Sequence, residues 1–224
     1  PILRAMHIRP RLRRAPLPSC GAGLLLLAVL LFPGAAPAQP ALREKIGQML
    51  MVSFTGDSLE KSSASLDTLK LDLARRQIGG VILFTWSNNL RNRAQIAHLT
   101  SELQRRSPTP LLIATDQEGG RVARLGASNG FAATPTAFEL GSVYRSEQAT
   151  RNAAGLMAGW LDSMGINLNL APVADVNVNP ASPAIGALER SYSASPDSVI
   201  MHAGWFAEEM HRKGVAATLK HFPG

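Results

Sequence analysis

Five charged or titratable side chains stand where short apolar runs give way to polar loops: Asp116, Arg124, Arg190, Lys220 and His221. Asp116 opens the segment Asp116-Gln117-Glu118-Gly119-Gly120-Arg121-Val122-Ala123-Arg124, directly after the apolar run 111–115. A carboxylate there offers two acceptor oxygens to ligand hydroxyls, and a guanidinium offers forked donors to neutral oxygens or to a carboxylate. Neighbouring glycines let the backbone approach a ligand closely. Arg190 lies in Ile185-Gly186-Ala187-Leu188-Glu189-Arg190-Ser191-Tyr192, in the loop after the next apolar run, and Lys220-His221-Phe222-Pro223-Gly224 ends the last one. Adjacent Lys and His are costly to bury without a polar partner, so a polar partner is expected. The competing reading is a set of solvated loops whose charges pair with one another. A geometric condition also applies. Successive side chains of a regular strand point to opposite faces, so Lys220 and His221 reach one ligand together only if the backbone kinks or bulges there.

The elements that must position these residues alternate. Apolar runs at 47–54, 79–84, 111–115, 166–176 and 215–222 read as strands, and stretches of helical period lie between them at 58–77, 91–106, 146–164 and 195–214. Strict alternation of this kind predicts βαβ units and a parallel sheet. In such folds ligands gather at the C-terminal ends of the strands, where the residues above fall. Leu66, Leu69 and Leu73 predict the inner face of the first helix, Ile96, Leu99 and Leu103 that of the second, and Ala153, Leu156, Trp160 and Met164 that of the third. Ser195-Pro196-Asp197 is a helix start, with Gly214 as the stop. Trp160, Trp205, Phe206 and Met210, with His98, His202 and His211, read as packing residues. The connection 116–143 has Gly and Pro signals and no period, and a loop of that length is usually functional. Periodicity alone does not choose between an eight-stranded barrel and a doubly wound sheet. No G-x-G-x-x-G follows the first strand and no phosphate-binding P-loop appears, which removes the dinucleotide-binding reading.

Four segments together carry a resemblance: DQEGGRVARL at 116–125, NLAPVADVNVNP at 169–180, IGALERSY at 185–192 and KHFPG at 220–224. In this order and spacing the chain, over about residues 41–224, resembles the N-terminal barrel domain of glycoside hydrolase family 3. It is most similar to the bacterial β-N-acetylhexosaminidase branch, whose familiar members recycle peptidoglycan. The resemblance implies a TIM (β/α)8 barrel, here truncated after about five strands, and a retaining exo-glycosidase that removes terminal β-linked N-acetylglucosamine. It also implies that Asp116, Arg124, Arg190, Lys220 and His221 bind that sugar. Asp116, Lys220 and His221 would grip ring hydroxyls while the arginines orient or support them. The Asp nucleophile and the His acid/base of the branch are expected beyond Gly224, so residues 39–224 alone are expected to be inactive. Glu118 and Asp175 match no catalytic position and read as structural supports.

The 46% hydrophobic and 17% charged content predicts a folded chain. Of the net charge of +7, five charges come from Arg4, Arg9, Arg11, Arg13 and Arg14. These arginines precede an apolar run, 21–32, and the small-residue stretch Pro37-Ala38-Gln39, the pattern of a secretory signal peptide over 1–38. The run is shorter than a spanning helix needs, so the membrane is expected to matter only during export, with the mature protein periplasmic or secreted. Once the leader is set aside, no basic surface remains to suggest nucleic acid. Cys20, the single cysteine, lies in the leader, which excludes disulfides and thiolate metal sites from the rest. No cofactor motif or metal constellation is apparent, and the expected partner is a carbohydrate containing N-acetylglucosamine, of wall-glycan or chitin type. Two alternatives stay open: a family 3 β-glucosidase, and a non-catalytic wall-glycan binding protein.

Overall fold

The structure, a computed structural model, describes residues 40–223, and the leader reading falls outside them. After a short helix α1 (Leu42–Gly47), the chain alternates β1 (Met51–Ser53), α2 (Ala64–Ala74), β2 (Gly80–Ile82), α3 (Arg93–Arg106) and β3 (Leu112–Thr115). A small hairpin, β4 (Gln117–Gly119) and β5 (Val122–Ala123), precedes α4 (Glu147–Ser163), β6 (Leu168–Asn169), α5 (Pro196–Arg212) and β7 (Ala216–Ala217). The main sheet has five strands in the order β1-β2-β3-β6-β7, every pair parallel. Neighbours in sequence are therefore neighbours in the sheet, each crossed over by a helix, which is how a (β/α)8 barrel is built. Among the described residues, no helix is long and apolar enough to cross a membrane.

The helices form where composition and caps direct them. Ser63, Asn92 and Ser146 each accept a backbone N–H of the first turn, from Leu66, Gln95 and Ala149 respectively, satisfying a donor that a helix start leaves unpaired. Leu66, Leu69, Leu73, Ile96, Leu99 and Leu103 are all buried and join Val81, Leu83, Ile113 and Phe206 in one core between helices and sheet. Pro196 opens α5 as read, although the Ser195 side chain makes no cap bond.

Four local readings need correction. Gly47 closes α1 instead of opening a strand, and β1 begins at Met51. Leu156 points outward at 48% exposure, and Met157 takes the buried place, because the inner stripe of α4 runs one position further along. His98 and His211 are exposed, whereas His202 is buried, bonded to Thr150 Oγ1 through Nδ1 at 2.7 Å and stacked on Tyr192. The connection 116–143 is not structureless. It holds the β4–β5 hairpin, a 3-10 turn at Ala127–Asn129 and a π-helical turn at Glu139–Tyr144.

Candidate functional site

The C-terminal end of β3 is fixed by amides that the hydrophobic pattern conceals. Asn167 accepts from the Ile113 N–H at 2.7 Å and donates to the Leu111 carbonyl at 2.9 Å. Asn169, fully buried, does the same one step along, accepting from the Gln117 N–H and donating to its carbonyl. Gln117, also fully buried, accepts from the backbone N–H groups of Arg124 and Leu125. Gly119 and Gly120 both have positive φ, 99° and 54°, and a Cβ on Gly120 would strike Thr136. This is backbone that only glycine adopts cheaply. The hairpin therefore folds tightly back, carrying Arg124 to within 3.4 Å of Asp116.

The loop after β6 is held against the end of the last strand run. Val173 pairs in parallel with Lys220, and the Lys220 N–H donates to the Pro172 carbonyl at 3.2 Å. Asp175 thereby stands beside His221. Lys220 and His221, although adjacent, both reach the same polar cluster, so the backbone here does not follow regular strand geometry.

The cluster is a continuous chain of charged and polar contacts. Lys220 Nζ lies 2.9 Å from Asp116 Oδ1 and 2.6 Å from Glu118 Oε1. Arg190 grips Glu118 with two parallel bonds, Nε to Oε2 and Nη2 to Oε1, each 2.8 Å. Arg190 Nη2 also lies 3.1 Å from His221 Nε2, and His221 Nδ1 lies 2.6 Å from Asp175 Oδ2. A guanidinium has donors only, so His221 Nε2 accepts from it, and the ring's single proton sits on Nδ1, donated to Asp175. The Glu118 carboxylate, through its bonds to Arg190, raises that guanidinium's pKa further above its ordinary value. The Glu118 side chain is only 5% exposed, while those of Asp116 and Lys220 are 17% and 15% exposed and open onto a cavity of about 490 Å³. Leu170, Val122 and Thr218 complete its wall. Arg190 and His221 also border an adjoining cavity of about 550 Å³ lined by Val176, Asn177 and Ile185.

All five residues singled out from the sequence thus meet at one rim, where their charges, drawn from separate segments, pair with one another and with Glu118 and Asp175. Glu118 and Asp175 are the supports they were read as: one ties Arg190 to Lys220, the other holds His221. Sequence reasoning missed Asn167, Asn169 and Gln117 as the positioning groups. Two amides inside an apolar parallel strand were the available signal, since such residues are found buried only when hydrogen-bonded. It also named no metal constellation, whereas Glu60, His98 and Glu102 place ligand atoms within 4.8 Å of one another. The Glu102 carboxylate there is already engaged by the Leu59 N–H at 3.0 Å and the Ser58 hydroxyl at 3.2 Å, which anchors the loop after β1.

Residues 41–224 match the glycosyl hydrolase family 3 N terminal domain. The chain belongs to this family. Among its relatives, beta-hexosaminidase A of Pseudoalteromonas piscicida is 38% identical over 199 residues, covering 81% of this chain and 32% of that protein. A beta-hexosaminidase of Xylella fastidiosa is 37% identical over 181 residues, covering 79% of this chain and 50% of its own length. The chain thus spans between a third and a half of these curated relatives. Among solved structures, a glycoside hydrolase family 3 beta-N-acetylglucosaminidase from Paenibacillus sp. str. FPU-7 aligns with a TM-score of 0.74 at 36% identity, over 83% of this chain and 34% of that one. NagZ from Neisseria gonorrhoeae, solved in complex with N-trifluoroacetyl-D-glucosamine, aligns with a TM-score of 0.68 at 29% identity, over 78% of this chain and 50% of that one. The family membership and these alignments settle the choice that periodicity left open: the fold is of the (β/α)8 barrel kind, not a doubly wound sheet.

Proposed function

We propose that this chain is part of a retaining exo-β-N-acetylglucosaminidase and that its strand-end cluster holds the terminal sugar. The observation that carries the reading is the convergence of Asp116, Lys220, Arg190 and His221 on one rim, within a family whose similar members bear hexosaminidase names. Asp116 accepts hydroxyl protons, Lys220 and Arg124 donate to sugar oxygens, and the His221 ring, held by Arg190 and Asp175, shapes the rim beside them. Glu118 and Asp175 hold Lys220, Arg190 and His221 in place. Family 3 chemistry passes through a glycosyl-enzyme intermediate formed on an Asp, with a His as acid/base, and we place both in the protein beyond Gly224. The substrate is a wall-glycan or chitin-type oligosaccharide met outside the inner membrane after removal of residues 1–38.

The full-length protein is expected to hydrolyse a chromogenic N-acetylglucosaminide with retention of anomeric configuration, and to act on the corresponding glucoside far more slowly. Preference for the glucoside overturns the substrate assignment, and sugar binding without turnover makes the protein a glycan binder. Purified residues 39–224 are expected to release no chromophore, and turnover by that fragment refutes the placement of the catalytic groups. N-terminal sequencing of exported protein checks the cleavage after Ala38.

A further inference from the structure

One aromatic side chain near the cluster is largely exposed. Trp86 lies in the turn after β2 at 67% exposure, whereas Trp160 is buried and Trp205 half-buried. It is nevertheless held in place. The turn is closed by the Asn88 N–H donating to the Thr85 carbonyl, and Asn89, fully buried, accepts from the Phe84 N–H while donating to the Phe54 and Gly56 carbonyls. Phe84 stacks on one face of the indole, with centroids 4.2 Å apart and planes 20° from parallel.

Trp86 is otherwise largely exposed. Arg124 Cζ lies 4.9 Å from the Trp86 centroid and 5.9 Å from that of Phe84. With 4.2 Å between the two rings, these separations make a triangle with a nearly right angle at Trp86. A guanidinium on the far face would make that angle nearly straight. Arg124 therefore packs beside the Phe84–Trp86 pair rather than in line with it, and Trp86 keeps 67% of its surface exposed. The same Arg124 is the residue that contacts Asp116 at 3.4 Å, so the aromatic face borders the sugar cluster directly. A flat apolar face, fixed beforehand and flanked by hydrogen-bonding groups, is the counterpart of a sugar ring, which has an apolar C–H face and a polar edge. Fixing the face in the free protein also removes an ordering cost from binding.

From this geometry we propose that Trp86 is a platform for a second sugar ring, adjoining the ring held at the Asp116–Lys220 cluster. The proposal rests on the N-acetylglucosaminidase reading and adds to it a preference for oligosaccharides over the single sugar. The competing role is a positioning one, in which Trp86 merely steadies Arg124, whose Nε has no hydrogen-bond partner among the described residues. The two roles separate by ligand length.

In the full-length protein, Trp86→Ala and Trp86→Phe are compared with wild type, using the KM for N,N′-diacetylchitobiose and competitive inhibition by N-acetylglucosamine. Trp86→Ala is expected to raise the disaccharide KM about tenfold. The monosaccharide inhibition constant is expected to stay within about twofold, and Trp86→Phe to restore most of the disaccharide affinity. Equal weakening of both sugars assigns Trp86 to positioning Arg124 and overturns the platform, as does a disaccharide KM that does not move. A wild-type protein that neither binds nor cleaves either sugar fails in a different way, because it overturns the functional reading itself.

Discussion

Replacing Glu118 with Gln is the sharpest test of the cluster, because the change is isosteric and removes only charge and one acceptor. The carboxylate, 5% exposed, receives Arg190 through two bonds of 2.8 Å and Lys220 at 2.6 Å. A Gln amide keeps one oxygen for one cation and sets an NH2 group where the other oxygen stood, so that donor faces donor. One hydrogen bond to a charged group, worth about 1.5–3 kcal/mol, is lost. Removing one partner of a fully buried ion pair costs about 3–5 kcal/mol. Here the side chains of Arg190 and Lys220 are 14% and 15% exposed, so water relieves part of that cost. The expected destabilisation is about 2–4 kcal/mol. It is read as a lower urea midpoint with unchanged slope in the full-length protein near neutral pH. N-acetylglucosamine binding by calorimetry should weaken at least tenfold, about 1.4 kcal/mol. Arg121→Gln is the control: its contact with Glu189 is 3.4 Å and its side chain 57% exposed, and no change outside experimental error is expected. A Glu118→Gln protein within about 0.5 kcal/mol of wild type and binding sugar normally would refute the view that this carboxylate holds the site together.

Two further outcomes follow from the same geometry. Asp175→Asn leaves intact the backbone carbonyl that accepts from the Ser191 hydroxyl, so the loop should stay folded, but it removes the charge that fixes the His221 proton on Nδ1. Nitrogen NMR of the imidazole should report the Nδ1-protonated tautomer in wild type and a mixture in the variant, with weaker sugar binding; identical spectra and affinity would count against the orienting role. Burial lowers the pKa of His202 from its ordinary 6.5, so the unfolded chain takes up a proton before the folded one does. The stability this neutral imidazole supports is complete above pH 6.5 and declines as pH falls from there towards the folded-state value. His202→Phe keeps the stack against Tyr192 without a titrating group, and its urea midpoint should lack that share of the acid decline. Parallel declines in the two proteins would remove His202 from the account.

How much of this was legible in the sequence depended on the range of the interaction. Leu66, Leu69, Leu73, Ile96, Leu99 and Leu103 declared the inner faces of α2 and α3, because a helix repeats over a few residues and any burial shows as a local period. For the same reason Leu156 misled: Ala153 and Trp160 at helical spacing suggested its inclusion, and only tertiary packing, with Met157 in the core beside Gly119, decided which residue faces inward. The hairpin at Gly119-Gly120 was hidden because its strands are three and two residues long, too short for alternation to register.

The polar residues divide along the same line. Their types and their places at the ends of apolar runs marked Asp116, Arg124, Arg190, Lys220 and His221 as candidates, since unpaired charges at strand ends need a partner. Which charges share which partner was decided only in three dimensions. Glu118 meets Arg190 across 72 residues of chain and Lys220 meets Asp116 across 104. Those pairings exist because parallel strands bring distant loops to one rim, and sequence spacing carries no record of that distance. The exposed Trp86 belongs with them: the sequence placed a tryptophan after a strand, and only the fold set it on Phe84 beside Arg124.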